Sequence, residues 1–266
     1  MNTTSNLPYS ISRLPAFNDN YLWLIDNGSS AMTIDPGDAQ VVKSALAQRQ
    51  LRLDYILTTH HHGDHTGGVS ELESEFGAHV IGPDSKHIPQ VTQPVHDGQL
   101  INLMGLTFRV ITVPGHTLDH IAYFAPAPNP FGQPALFCGD TLFAGGCGRV
   151  FEGSYSQMRQ SLDKLKSLPA DTLIHCAHEY TQANLNFAKE VEPDNQKLIK
   201  RIETVNQQRA HNIPTVPSLL SDELATNPFL RYDKSQVIAS ASKRLNKKTL
   251  ASDDVFATIR EWKDNF

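Results

Sequence analysis

Every glycine of this chain lies between Gly28 and Gly153, and the long tail beyond has none. Glycine is where a backbone turns at positive φ without a steric penalty. The first part can therefore be cut into short segments joined by tight turns, whereas the tail needs longer elements. The segments follow. Tyr21–Ile25, Ala31–Ile34, Tyr55–Thr59, Phe108–Val113, Ala135–Cys138 and Leu173–His175 are short apolar or β-branched runs, and several stop at Pro/Gly turns such as Asp35-Pro36-Gly37 and Pro114-Gly115. Helical patterns lie between them at Val41–Gln48, Gly68–Phe76 and Ser156–Ser167. Strands alternating with helices predict an α/β fold with a largely buried sheet. From about Thr181 the pattern becomes helical: Ala183–Glu190, Asn195–Arg209 with Asp194 as its expected cap, Ser218–Thr226, and Ser252–Trp262.

With 266 residues, 39% hydrophobic, the chain can bury a core without covalent staples. No apolar run approaches the roughly 18 residues that span a bilayer, and Met1–Tyr9 does not read as a secretion signal. Cys138, Cys147 and Cys176 are odd in number and not closely paired, which suits a reducing compartment and predicts a cytoplasmic protein. Residues 1–180 hold 10 Lys and Arg against 17 Asp and Glu; residues 181–266 hold 13 against 11. The acidic α/β part argues against a nucleic-acid partner. A weakly basic helical part suits an anionic small molecule.

The chemistry concentrates at strand ends. Thr59-His60-His61-His62-Gly63-Asp64-His65 follows the third strand, in a loop that Gly63 is expected to tighten. His60 and His62 lie two apart and can point to one side, while His61 points away and reads as structural. His116 follows Pro114-Gly115, Asp140 follows Gly139, and His178 follows the strand at Leu173. Ligands at successive strand ends of one sheet converge. Five imidazoles and two carboxylates suffice for two metal sites with a shared carboxylate. Two ions about 3.5–4 Å apart can lower the pKa of a water toward neutrality and polarise a carbonyl. His120 reads as a satisfied surface histidine, with orientation of a ligand as the alternative. Cys147, among Gly145, Gly146 and Gly148, reads as packing in a tight loop.

At these residues the sequence resembles the metallo-β-lactamase superfamily, and within it glyoxalase II. The resemblance rests on Thr58–Gly68, Pro114–Thr117, Gly139–Phe143, Gly146–Arg149, His178–Thr181, Asn227–Arg231 and Trp262–Phe266, and so runs over nearly the whole chain. It implies a four-layer αβ/βα sandwich over residues 1–180 and a helical substrate-binding domain over 181–266. It implies His60, His62 and His116 on one metal, Asp64, His65 and His178 on the other, and Asp140 bridging, with Asp64 and Asp140 counted as catalytic. The ions would be zinc, or else iron or manganese, since N/O ligands accept all three. It implies that Arg149, Tyr180, Arg231 and Lys234 hold glutathione, whose carboxylates suit Arg forks and Lys charges. Phe151 stands where some relatives have Tyr, and so lacks a hydroxyl. The implied reaction is hydrolysis of a glutathione thioester, S-(R)-lactoylglutathione, by a monomer without membrane or nucleic-acid partners. A lactonase, β-lactamase or phosphodiesterase on the same ligands, an iron-dependent persulfide dioxygenase, and a non-catalytic metal-binding protein are the competing readings.

Overall fold

The computed structural model describes residues 9–266, so Met1–Pro8, read above for a leader, lie outside the described residues. The chain packs as two compact units. The first runs to Ile111 and takes in Ile121–Phe137; the second comprises Thr112–His120 and Cys138–Phe266.

The first unit begins with the antiparallel strands β1 (Ser10–Ala16), β2 (Asn20–Asp26) and β3 (Ser30–Ile34). After helix α1 (Ala39–Arg49) come β4 (Arg52–Leu57), the single turn α2 (Gly63–Thr66), α3 (Val69–Phe76), β5 (His79–Pro83) and β6 (Gln93–Val95). Strands β3 to β6 pair in parallel and complete one sheet. The strands β7 (Leu100–Leu103), β8 (Leu106–Thr112), β9 (Ile121–Ala125) and β10 (Ala135–Gly139) lie side by side in a second.

Period-two alternation decides which face meets what. Leu22 and Leu24 of β2 join Leu53, Ile56 and Val80 under Val42 and Leu46 of α1 and Val69 and Leu72 of α3. Trp23, between them, faces the second sheet, its ring 6.3 Å from that of Phe137, which in turn lies 6.4 Å from Phe108. The buried Tyr123 hydroxyl crosses the same interface to donate to Thr58 O at 2.9 Å, and Ile121 N donates to Thr59 O at 2.9 Å. The backbone just after β4 is thereby clamped from the second sheet, and this is the stretch that leads into the histidine run.

The second unit opens with two very short strands, β11 (Leu142–Phe143) and β12 (Gly146–Cys147), paired as a hairpin. Gly145, at φ +71°, makes its turn. Helix α4 (Tyr155–Lys166) starts on a Ser154–Gln157 capping box. Strand β13 (Leu173–Cys176) follows and pairs with β14 (Ser218–Leu219). The helices are α5 (Thr181–Val191), α6 (Gln196–Ala210), α7 (Leu220–Thr226), α8 (Ser235–Leu245) and α9 (Ser252–Asp264).

Two expectations need correction. The cap of α6 is Asn195, not Asp194: the Asn195 side chain accepts from Lys197 N and Leu198 N. Ser218 and Leu219 belong to β14, so the helix expected from Ser218 begins at Leu220.

All three cysteines are free and buried. Burial pushes the Cys176 thiol up to about 12 and raises that of Cys147, so little thiolate exists at mildly alkaline pH. The native protein is expected to show no fast reaction with Ellman's reagent there, and three reactive thiols once denatured in guanidinium. A rapidly titrating thiol in the native state would contradict this packing.

Candidate metal centre

In the first unit the organising residue is Asp35, which sequence reasoning treated only as part of a turn. It sits buried at the end of β3 with φ +53°, a left-handed conformation that Asp tolerates better than most side chains. Its carboxylate accepts Thr59 N at 2.7 Å, Thr59 Oγ1 at 2.8 Å and His65 Nδ1 at 3.1 Å. A carboxylate can only accept, so His65 carries a proton on Nδ1, and as a neutral ring it presents a lone pair at Nε2. The Thr59 hydroxyl spends its proton on Asp35, so it accepts from His60 Nδ1 at 3.0 Å, and His60 Nε2 is also left with a lone pair. That nitrogen lies 3.2 Å from His62 Nδ1. His65 Nε2 lies 3.5 Å from Asp64 Oδ2, which Asn20 Nδ2 holds at 2.9 Å.

Gly63 does not act as expected. It begins the turn α2 without positive φ, and a Cβ there would meet nothing within 4 Å. The crowding is at Gly37, where a Cβ would lie 1.8 Å from Asp64 O.

The second unit repeats the logic. Gly115, at φ +154°, turns the chain into His116, and a Cβ on it would strike Met158 at 2.8 Å. His116 Nδ1 is 2.7 Å from Arg149 O. A carbonyl can only accept, so the proton is again on Nδ1, and the lone pair of Nε2 faces Asp140 Oδ2 at 3.4 Å. The other oxygen of Asp140 lies 3.3 Å from His178 Nε2. His120 is buried rather than on the surface, contrary to expectation, and its Nε2 accepts from Asp140 N at 3.1 Å. Of the two roles considered for it, orienting a ligand is the one the geometry favours. Gly148 packs against Asp140 O so closely that a Cβ would approach to 1.9 Å. His178 stacks flat on Tyr180 at 4.7 Å, with the edge of Phe143 against both rings.

Imidazole lone pairs thus face carboxylate oxygens in both units, an acceptor-to-acceptor arrangement that a cation turns from repulsive to binding. Imidazole nitrogen with carboxylate oxygen is the donor chemistry of divalent zinc, iron or manganese. The residues fit a divalent metal-binding site.

The four residues expected to touch substrate differ in their surroundings. The Arg149 side chain is 60% exposed, 3.8 Å from Asp264, with its guanidinium over Phe151. Tyr180 is partly exposed on His178. Lys234 is half exposed beside Asp233. Arg231 forks onto the fully buried Glu192 at 2.8 and 2.9 Å and gives a third hydrogen to Leu224 O. Sequence reasoning assigned no role to Arg260, buried on α9, which donates to Cys147 O at 2.8 Å. Nearby Lys263 has its pKa lowered by burial and by that neighbouring cation. Lys263 falls in the Trp262–Phe266 block, whereas Arg260 carried no sequence signal.

The chain is similar to known proteins. A family model described as the metallo-beta-lactamase superfamily matches residues 17–178, and one described as hydroxyacylglutathione hydrolase C-terminus matches 179–266. A hydroxyacylglutathione hydrolase of Pseudomonas aeruginosa is 48% identical over 259 residues, covering 96% of this chain and 99% of that protein. One of Nitrosomonas eutropha is 50% identical over 253 residues, covering 94% and 96%. Among solved structures, the B3 metallo-beta-lactamase BLEG-1 matches with a TM-score of 0.60 at 20% identity, covering 83% of this chain and 99% of that one; this likeness is one of fold alone. The fold is the expected α/β sandwich of the metallo-β-lactamase type with a C-terminal helical region.

The contrast between two glycines tests the geometry. Gly37→Ala must displace the Asp64 backbone and is expected to weaken divalent-metal binding by about tenfold or more. Gly63→Ala is expected to bind like the unaltered protein in chelator-competition titrations. Equal affinities for the two variants would contradict the crowding at Gly37.

Proposed function

Because the chain belongs to the hydroxyacylglutathione hydrolase family of the metallo-β-lactamase superfamily, we propose that it hydrolyses S-(R)-lactoylglutathione to glutathione and D-lactate. The observation that carries this reading is the pairing of a proton-directed imidazole and carboxylate set with a C-terminal region of the hydroxyacylglutathione hydrolase type. The fold alone would equally suit a β-lactamase.

In this reading His60, His62 and His116 hold one divalent ion, Asp64, His65 and His178 hold a second, and Asp140 is shared. All seven fall within the superfamily match at residues 17–178, which supports the set. Zinc is our first choice, with iron or manganese compatible with the same donors. Bound ions would supply Lewis acidity, acidifying water toward neutral pH and polarising the thioester carbonyl. The protein's own contribution is orientation. Asp35 and the Arg149 carbonyl keep the Nδ1 protons turned outward, Asn20 steadies Asp64, and His120 steadies the Asp140 backbone. The departing group is a thiolate, whose parent thiol pKa near ~8.5 makes it a tolerable leaving group without a strong acid.

Glutathione would be held by Arg149, Tyr180, Arg231 and Lys234. Arg149 and Lys234 present exposed cations to its carboxylates. Arg231 could offer only the hydrogens not spent on Glu192 and Leu224. Its loss would also strand a buried carboxylate at about 3–5 kcal/mol. We take residues 1–180 as the catalytic part and 181–266 as the substrate-binding part, supported by the change of family match between 178 and 179. No helix among the described residues is long and apolar enough to cross a membrane. Three free thiols support a cytoplasmic location, and we take the active species to be the monomer.

Two measurements test the proposal. Removing divalent metal with a chelator is expected to abolish hydrolysis of lactoylglutathione, and adding zinc to restore it; full activity in metal-free protein would sink the account. Arg149→Ala is expected to raise KM for lactoylglutathione about tenfold while leaving a short neutral thioester nearly unaffected, since a charge-assisted contact contributes about 1.5–3 kcal/mol. Equal effects on both substrates would remove Arg149 from the glutathione contacts.

A further inference from the structure

The hairpin of β11 and β12 is too short to fix its own shape: four residues pair across a two-residue turn. Its conformation is imposed from outside, by side chains of the C-terminal helices. Asn184 Nδ2 donates to Ala144 O at 3.2 Å. Glu223 Oε2 accepts from Gly145 N at 2.7 Å. Asn227 Nδ2 donates to Gly146 O at 2.9 Å and Phe143 O at 3.3 Å, and Arg260 Nη1 donates to Cys147 O at 2.8 Å. Five consecutive backbone positions are each met by a buried polar side chain. These side chains are tied in turn: Arg201 Nη2 lies 2.5 Å from Glu223 Oε1, and Asn227 Nδ2 lies 3.1 Å from Glu223 Oε2. Glycine at 145 and 146 lets the helix come this close, since a Cβ there would meet Leu185 at 2.7 Å and Asn184 at 2.6 Å.

This hairpin leads directly into Gly148 and Arg149, and the Arg149 carbonyl is the group that holds the His116 proton on Nδ1. We infer that Asn227 and Glu223 are positioning residues for the metal ligand His116, acting through the backbone of residues 143–149. The inference rests on the ligand assignment above. It extends that reading by giving the C-terminal region a part in metal binding in addition to its part in holding substrate. A carbonyl accepting from Nδ1 fixes both the tautomer and the ring plane of a ligand, and loss of such an outer partner costs about 10–100-fold in metal affinity. If the hairpin relaxes, Arg149 O moves, and His116 can place its proton on the nitrogen that should bind metal.

Asn227→Asp keeps the shape and the acceptor for Phe229 N but removes both donors to the hairpin; Glu223→Gln keeps volume and weakens the hold on Gly145. Val237→Ala, a buried change on α8, which supplies none of the hydrogen bonds to the hairpin named above, serves as the control for general loss of stability. Zinc affinity would be measured by competition with a chromogenic chelator, and the ring tautomer of His116 by nitrogen NMR on metal-free protein. For each of the first two variants that folds, by circular dichroism, we expect one of two zinc ions to bind about tenfold or more weaker and the His116 Nδ1–H signature to be reduced. Val237→Ala should melt at a lower temperature with both measures unchanged. A folded Asn227→Asp or Glu223→Gln protein with zinc affinity and tautomer unchanged overturns the inference while leaving the ligand assignment standing. So does Val237→Ala weakening zinc to the same degree. Unaltered protein that fails to bind two zinc ions overturns both.

Discussion

The arrangement depends on where a few protons sit. A neutral imidazole has one N–H and one lone pair, and it binds a cation only through the latter. Asp35 takes the Nδ1 proton of His65 directly and that of His60 through the Thr59 hydroxyl. The Arg149 carbonyl takes that of His116. The other nitrogen of His65 and of His116 faces a carboxylate, Asp64 and Asp140 respectively, while that of His60 faces His62. Without a cation this is unfavourable. Around these groups the backbone is crowded.

The crowding is visible in glycine. At Gly37 and Gly148 the neighbouring chain passes so near that a Cβ would lie less than 2 Å from the carbonyl oxygens of Asp64 and Asp140 respectively. These glycines serve close approach, with no positive φ at either. In each case the residue pressed upon is an aspartate of the proposed ligand set, so the contact limits where its backbone can lie. Gly115 and Gly139 do use positive φ, and each aims the residue after it. The concentration of glycine between residues 28 and 153 thus reflects two separate demands, sharp turns and backbone packing, that sequence alone does not distinguish. Gly63 meets neither demand, although it was expected to tighten the loop before Asp64.

How much was legible in advance follows the range of the interactions. Strands such as β2 and β8 announce themselves by local β-formers, and the histidines and aspartates by their setting after such strands. Strand β6, three residues containing Pro94, and β12, only two residues, carry too little local signal to be read. Helix α8 was missed because Ser235, Ser240 and Ser242 dilute its apolar stripe, and only Val237 and Ala241 are buried. Asp35 was missed for a different reason. Its partners Thr59 and His65 lie 24 and 30 residues on, and an Asp before Pro-Gly is fully accounted for as a turn residue. His120 likewise reads as a surface residue in sequence, because its partner, the Asp140 amide, lies 20 residues on.

The same reasoning explains why the helical tail buries charges beside the hairpin. Glu223 and Arg260 are each at most 5% exposed. Apolar side chains of similar size could fill that space at equal or better stability. Apolar groups cannot, however, satisfy the backbone N–H and C=O groups of a two-residue turn that has no longer ladder to join. Glu223, Asn227 and Arg260 do satisfy them, and each is anchored by a further partner: Arg201 for Glu223, Phe229 N for Asn227, Asp264 for Arg260. The polar network is thus the cost of using a short hairpin instead of a long one. A short hairpin leaves the Arg149 carbonyl close to the point where the helices grip the chain, so little slack lies between that grip and the ring of His116.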